Sequence, residues 1–377
     1  MPTDSETPAR LNFFDCTPDS LRQLLGQWGW PAFRADQLLS WVYKNDVTDP
    51  DQMTNLTIAD RRTLKDRLVI TSAEITRRQV SADGTIKLLL TWPDSSSAES
   101  VMIPDGPRHT ACLSCQVGCP VGCRFCASGL SGLSGNLSAG QIVEQLIALN
   151  QAIKPQGHRI TNVVFMGMGE PMSNFAGVTR SVKILHGADS LNLGYRRLTI
   201  STVGIPARIR QLADEQLPVN LALSLHAPNE PLRRQLIPWA EHFRLDDILD
   251  SLRYYFDRTG REITFEYILL SGVNDRPQHA RELARLCKGI RANVNLIGYN
   301  EVEGLPYQRP TAQAVVQFQS ILRKTGVNAH VRKSRGRDID AACGQLRRRE
   351  YSENLAGLTI KGREQAPPPA DGDQALG

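Results

Sequence analysis

No run of about eighteen apolar residues occurs in the 377-residue chain, which excludes a transmembrane helix. The start, Met1-Pro-Thr-Asp-Ser-Glu6, has neither the basic nor the apolar region of a secretory leader. The expectation is therefore a cytoplasmic protein with no membrane partner. No repeat of solenoid period is present, so a stacked array is excluded. Charge of one sign does not dominate: 44 Lys and Arg against 39 Asp and Glu leave +5. What remains, 41% hydrophobic and 22% charged residues, is the composition of an ordinary globular protein, with room for one large domain and a smaller one. Structural disulfides are not expected either, because a reducing compartment favours metal-binding or catalytic cysteines.

The cysteines are present in an uneven pattern. Five of the eight fall within the fifteen positions of Cys112-Leu-Ser-Cys115-Gln-Val-Gly-Cys119-Pro-Val-Gly-Cys123-Arg-Phe-Cys126. Cys119, Cys123 and Cys126 are spaced C-x3-C-x2-C, which lets one short loop wrap three thiolates around one face of a cubic iron–sulfur cluster. A [4Fe–4S] cluster normally takes four thiolates. Three leave one iron uncovered, free to hold the amino and carboxylate groups of S-adenosylmethionine. Cys112-x2-Cys115 and Cys123-x2-Cys126 also read as two zinc knuckles, and C-x2-C can serve thiol redox chemistry. Zinc knuckle pairs usually sit about fifteen to twenty residues apart. Here seven residues separate them, and Cys119 would have no role. Gly118 and Gly122 suit a loop that approaches a cluster closely.

Residues 17 to about 68 carry apolar positions at helical spacing, in Ser20–Leu25 and Arg34–Tyr43, with Pro31 and Thr57 as starts. Trp28, Trp30, Trp41 and Tyr43 are expected mostly in the core, with one or two able to stack on bases. From about 69 to 104 the pattern turns to strands, with Ile86–Trp92 entered through the turn Ala82-Asp-Gly84 and a loop at Ser95–Ser97. After the cysteine loop, candidate strands Asn162–Met166, Arg197–Ser201, Val219–Leu225, Ile263–Leu269 and Val294–Ile297 alternate with helical stretches. Strands separated by helices mean a parallel sheet, and about six such units fit an incomplete barrel with its chemistry at the C-terminal ends of the strands. The fold class expected is α/β: an incomplete (β/α)6 barrel over 108–350, a helical accessory unit over 1–68, a β extension over 69–107 and a disordered tail over 351–377. Arg332, Lys333, Arg335, Arg337, Arg347, Arg348 and Arg349 crowd around a further cysteine. Such a run is a solvated face or a contact for a phosphate backbone.

At the candidate strand ends stand polar groups. Met166-Gly-Met-Gly-Glu-Pro171 ends the first strand after the cysteine loop. Glu170 there can accept hydrogen bonds from an ammonium group and Pro171 stiffens the turn. By itself the motif is a turn; about forty residues after C-x3-C-x2-C, it supplies a grip for the methionine amine. Ser201-Thr202 and Ser224-Leu225-His226 put hydroxyl and imidazole groups at two more strand ends, though each singly reads as an ordinary strand-end polar residue. Cys343, after Ala341-Ala342, reads by itself as buried and inert, and Glu99 as a solvated loop acid.

Over roughly residues 10 to 350 the chain resembles the RlmN/Cfr family of radical SAM RNA methyltransferases. The residues that carry the resemblance are Cys112 seven positions before Cys119, the C-x3-C-x2-C itself, Gly-Met-Gly-Glu-Pro at 167–171, Ser-Leu-His at 224–226 and Arg335-Gly-Arg-Asp-Ile-Asp-Ala-Ala-Cys343-Gly-Gln-Leu346. The resemblance implies methylation of an adenosine C2 in the peptidyl transferase region of 23S rRNA and beside the anticodon of some tRNAs. It uses one [4Fe–4S] cluster, two molecules of S-adenosylmethionine per turnover and an electron donor such as a flavodoxin-type protein. It implies that Cys343 is methylated and adds to the adenine, that Cys112 releases the product through a transient disulfide with Cys343, and that Glu99 accepts the proton. Cofactor contacts are implied at Gly169, Glu170, Ser201, Ser224, Leu225, His226 and Asn300, with Cys119, Cys123 and Cys126 holding the metal.

The chain departs from the family pattern at Leu133-Ser-Gly135, where an aromatic and then an arginine are usual before Asn-Leu. Cys115 stands where serine is usual, and Glu301 follows Asn300 where proline is common. Methylation at adenine C8, as in the antibiotic-resistance branch, shares every motif quoted. A zinc-stabilised RNA-binding protein without catalysis would need neither the Glu-Pro turn nor Cys343.

Overall fold

The computed structural model describes residues 11–346. Arg347, Arg348, Arg349 and the tail expected over 351–377 lie outside the described residues. Near the N-terminus, helices α1 (Pro18–Gln27), α2 (Phe33–Leu39) and α3 (Ile58–Arg67) form where the apolar spacing places them. Thr17 accepts the Ser20 N–H at the start of α1, and Thr57 with Asp60 closes a capping box on α3. The second helix starts two residues after Pro31 and widens into a π-turn over Ser40–Lys44.

The rest is built on a ten-stranded sheet, beside which Gln116–Gly118 and Leu133–Asn136 pair as a short antiparallel ribbon. The strands of the sheet are β1 (Glu74–Val80), β2 (Ile86–Thr91), β3 (Ser97–Asp105), β4 (Arg108–Cys112), β5 (Asn162–Phe165), β6 (Leu198–Thr202), β7 (Asn220–Ser224), β8 (Ile263–Leu269), β9 (Ala292–Gly298) and β10 (Asn328–Arg332), in that spatial order. The strands β1 to β4 pair antiparallel; β4 to β10 are parallel throughout. Helices α4 (Ala139–Ile153), α5 (Phe175–His186), α6 (Pro206–Asp214), α7 (Glu230–Leu236), α8 (Leu245–Thr259), α9 (Pro277–Cys287) and α10 (Ala312–Lys324) make the crossovers. The result is six β/α units closed by a seventh parallel strand, a partial barrel of the radical SAM kind.

Two barrel strands had no signal in the sequence. In β4, Arg-His-Thr-Ala-Cys shows no apolar alternation, and in β10, an edge strand, only Ala329 is buried. Ser97, expected in a loop, opens β3 and is buried. Hydrogen bonding runs unbroken from β3 into β4, so the β strands before residue 107 share one sheet with the barrel.

The helical unit and the segment that follows it are fastened to the barrel through α4, whose Gly140 N–H donates to Asp15 Oδ1 at 2.8 Å and whose Asn150 amide donates to Asp46 Oδ1 at 3.2 Å. The buried Glu144 carboxylate accepts the N–H of Ala73 at 2.8 Å, the Ser72 hydroxyl at 3.0 Å and the Trp92 indole N–H at 2.9 Å. Removing it would orphan buried donors at about 1–3 kcal/mol each. Of the four aromatics expected mostly in the core, only Tyr43 is buried; Trp28, Trp30 and Trp41 are half-buried. Trp28 and Trp30 meet edge to face, and the Trp41 indole donates to Asn55 Oδ1. Among the described residues, no helix is long and apolar enough to cross a membrane.

Candidate active site

The C-terminal ends of the parallel strands surround a cavity of about 140 Å³. It brings together Cys119, Cys123 and Cys126 with Gly169 and Glu170, Ser201, Ser224, His226 and Cys343. Leu225 is buried and lies outside the lining, its N–H donating to the Glu266 carbonyl. Asn300 lies in a second cavity of about 60 Å³ with Cys112, Arg332, Lys333 and Arg335. Its amide donates to the Cys343 carbonyl at 3.3 Å. Met166, Ile297, Arg332 and Cys343 line both cavities, so Cys343 stands in the wall between the cofactor residues and Cys112.

The cysteine loop is shaped by Gly118, whose φ of +79° suits glycine and whose missing side chain leaves room for the Gly132 carbonyl, 2.0 Å from where a Cβ would stand. That carbonyl accepts the Cys119 N–H at 3.0 Å, which fixes where the first thiol points. Backbone N–H groups of Val121 and Gly169 face the Cys119 sulfur, and those of Ser128 and Gly129 face Cys126. Burial pushes all three thiols up, an effect that bound iron reverses by taking the thiolate. Three neighbouring thiols on one loop, two of them met by N–H donors, fit a cluster with one open iron. They do not fit two zinc knuckles. Cys112 faces Cys343 and Arg332, whereas the Cys115 sulfur packs against Gly169. Among the described residues, no three His, Cys, Asp or Glu side chains converge on one ion position.

Gly169 has a φ of +107°, and a Cβ there would meet Gln116 at 2.7 Å. The tight approach aims Glu170 inward. Its N–H donates to Gln116 Oε1 at 2.8 Å, while its carboxylate accepts the N–H groups of Met172 and Val203, each at 2.9 Å. Burial raises the pKa of this carboxyl above the ordinary glutamate value, and a cation bound beside it would offset that cost by stabilising the charged form. If Glu170 holds the ammonium group of S-adenosylmethionine, Glu170→Ala loses a charge-assisted contact of about 1.5–3 kcal/mol, roughly ten- to over a hundredfold in affinity. The two orphaned N–H groups also lower the melting temperature. Calorimetric titration below that temperature checks it; unchanged affinity removes Glu170 from the site.

Ser201 and Ser224 hydroxyls lie 3.1 Å apart on neighbouring strands. His226 has a φ of +56°, and its Nδ1 accepts the Ile268 N–H at 3.1 Å. Burial pushes its pKa down to about 3, so it is a neutral acceptor at physiological pH.

Two residues read differently in three dimensions. Cys343, which reads alone as buried, is exposed to the cavities. Glu99, which reads as a solvated loop acid, is 5% exposed within β3. All eight cysteines are free, so no Cys112–Cys343 disulfide is present. Sequence reasoning missed Glu266 and Arg233. Glu266 lines the cavity with its Oε2 lacking a hydrogen-bond partner. Arg233, on the unpredicted α7, is buried and donates to the Val203 carbonyl. A lone acid in an apolar strand was the one available signal for Glu266; nothing marked Arg233.

Residues 11–70 match the ribosomal RNA large subunit methyltransferase N-terminal domain and residues 113–286 the Radical SAM superfamily. A protein of Rhodopirellula baltica named "Probable dual-specificity RNA methyltransferase RlmN" is 42% identical over 92% of this chain and 94% of its own length. One of the same name from Thermotoga neapolitana is 45% identical over 89% and 97%. The crystal structure of a radical SAM methyltransferase from Sphaerobacter thermophilus superposes with a TM-score of 0.87 at 43% identity, covering 89% of this chain and 99% of that one. With the cysteine loop and the cavity described above, these likenesses establish that the chain belongs to the RlmN family of radical SAM RNA methyltransferases.

Proposed function

We propose that this methyltransferase modifies C2 of an adenosine in the peptidyl transferase region of 23S rRNA and of the adenosine beside the anticodon in some tRNAs, in the cytoplasm. The observation that carries the reading is the place of Cys343, in the wall shared by the cofactor cavity and the cavity of Cys112. When bound, the cluster and two molecules of S-adenosylmethionine supply a methyl group and a 5′-deoxyadenosyl radical, the electron coming from a flavodoxin-type donor. Cys119, Cys123 and Cys126 hold the cluster, and Gly169, Glu170, Ser201, Ser224 and His226 hold the nucleoside cofactor, with Leu225 packed behind the lining. Cys343 carries the one-carbon unit from one cavity to the other and joins it to the base. Asn300 holds the backbone of Cys343 rather than reaching the first cavity. Glu99 takes the proton from C2. The Cys112 thiolate then attacks the Cys343 sulfur, the S–S bond forming as the bond from that sulfur to the carbon breaks. The carbon keeps the electron pair and takes up a proton to become the methyl group, leaving a disulfide for an external dithiol to reduce.

The base has to leave its stack to reach a cysteine set in the wall between two cavities. Arg332, Lys333 and Arg335 line the second cavity, where they can meet the backbone of the extruded nucleotide, and the helical unit of 11–68 supplies further RNA contact by shape. Mass spectrometry of nucleosides from RNA treated with reconstituted enzyme tests the reading. 2-Methyladenosine is expected; 8-methyladenosine would move the chain to the other branch, and unmodified RNA with an intact cluster would overturn the substrate assignment.

A further inference from the structure

A buried lysine stands between Glu99 and the loop that bears Cys343. Lys87 Nζ lies 2.9 Å from Glu99 Oε1 and donates to the Asp340 carbonyl at 3.0 Å. The two side chains are 4% and 7% exposed. A buried ion pair is at best a weak source of stability, since desolvation offsets its attraction; its position needs another account.

Sheet register supplies one. Lys87 on β2 is opposite Val101 on β3, which is opposite Cys112 on β4. Residues opposite one another share a face, and side chains alternate along a strand. Lys87, Cys112 and Glu99 therefore occupy one face of the sheet, with Glu99 one pleat from the row that contains Cys112. The turn between β1 and β2 moors the loop before Cys343 as well. Asp83 Oδ2 accepts the Gly336 N–H at 3.0 Å, and the Asp338 carboxylate accepts the Ser81 hydroxyl at 2.6 Å and the Ala82 N–H at 3.1 Å. Asp340, whose carbonyl Lys87 holds, has a φ of +51°.

We infer that Lys87 is a positioning residue of the reaction: its ammonium group fixes the Glu99 carboxylate relative to the Cys343 loop, so that proton acceptor and one-carbon carrier keep one geometry. This rests on the reading of Glu99 as the group that receives the C2 proton. In that step the adenine C2–H bond breaks, the proton goes to a Glu99 oxygen and the electron pair stays with the ring.

The test uses full-length enzyme, reconstituted anaerobically, with Lys87→Arg, Lys87→Gln, Lys87→Met, Glu99→Gln and the double variant Lys87→Met/Glu99→Gln. Two products are measured by mass spectrometry, methylated Cys343 and free methyladenosine, and iron content and melting temperature report folding. Lys87→Met and Lys87→Gln should still methylate Cys343 while the yield of methyladenosine per methylated Cys343 falls by about a hundredfold, as expected of a displaced general base. Lys87→Arg, which keeps the charge, should recover most of it. The double variant should be no worse than Glu99→Gln alone, because residues that act as a unit are not additive. Lys87→Gln at the wild-type yield would reduce Lys87 to a hydrogen bond on the loop and overturn the inference. Multiplied losses in the double variant, or loss of Cys343 methylation in folded Lys87→Met, would do the same. Should Lys87→Met fail to fold, Lys87→Gln against Lys87→Arg carries the comparison. If Glu99→Gln itself keeps the wild-type yield, the Glu99 reading fails, whatever Lys87 does.

Discussion

Cys112→Ala should purify with RNA covalently attached, or retain it under denaturing conditions after one turnover. The thiol sits at the end of β4, 6% exposed, facing Cys343 and Arg332. Burial pushes its pKa up to about 12, so the thiol has to give up its proton before it can attack the Cys343 sulfur. On the proposed roles, Cys343 would still be methylated and add to adenine without it, and the adduct would then have no thiol to resolve it. Cys343→Ala should form neither adduct nor methylated RNA, with its cluster intact. Cys115→Ser is the control. Its sulfur packs against Gly169 rather than facing Cys343, so the variant should turn over normally and trap nothing. Gel mobility under denaturing conditions reads all three. Adduct in Cys115→Ser with none in Cys112→Ala would mean that the extra cysteine has taken over the resolving role.

The second large effect is on the metal. Anaerobically purified protein should be brown, with about four irons per chain, and Cys119→Ala, Cys123→Ala or Cys126→Ala should each abolish the cluster and all methylation of Cys343. The loss is complete rather than partial because two thiolates leave two irons open in a site already lacking a fourth ligand. Iron analysis and the visible absorption spectrum check it. Stoichiometric zinc, with iron absent after reconstitution, would contradict both the cavity and the family.

The sequence by itself determined the thiol spacing of the loop and five of the parallel strands of the barrel. Thiol spacing over Cys119–Cys126 depends on local chain reach alone, and five parallel strands together with helices such as α4, capped by Ser138, follow from local periodicity. It was silent on β4 and β10. One has no alternation, and the other is an edge strand whose pairing, not its composition, makes it a strand. The resemblance supplied roles for Glu99 and Cys343 that contradicted their local reading. Tertiary structure gives the physical reason. Glu99 can be buried because Lys87, twelve positions away in sequence, crosses to it from the adjacent strand, and Cys343 is exposed because two cavities meet at its thiol. Neither a buried charge's partner nor a cavity's wall is encoded in neighbouring residues. Both arise only when distant parts of the chain come together, and that is also why Lys87 and Arg233 became visible only in the folded molecule.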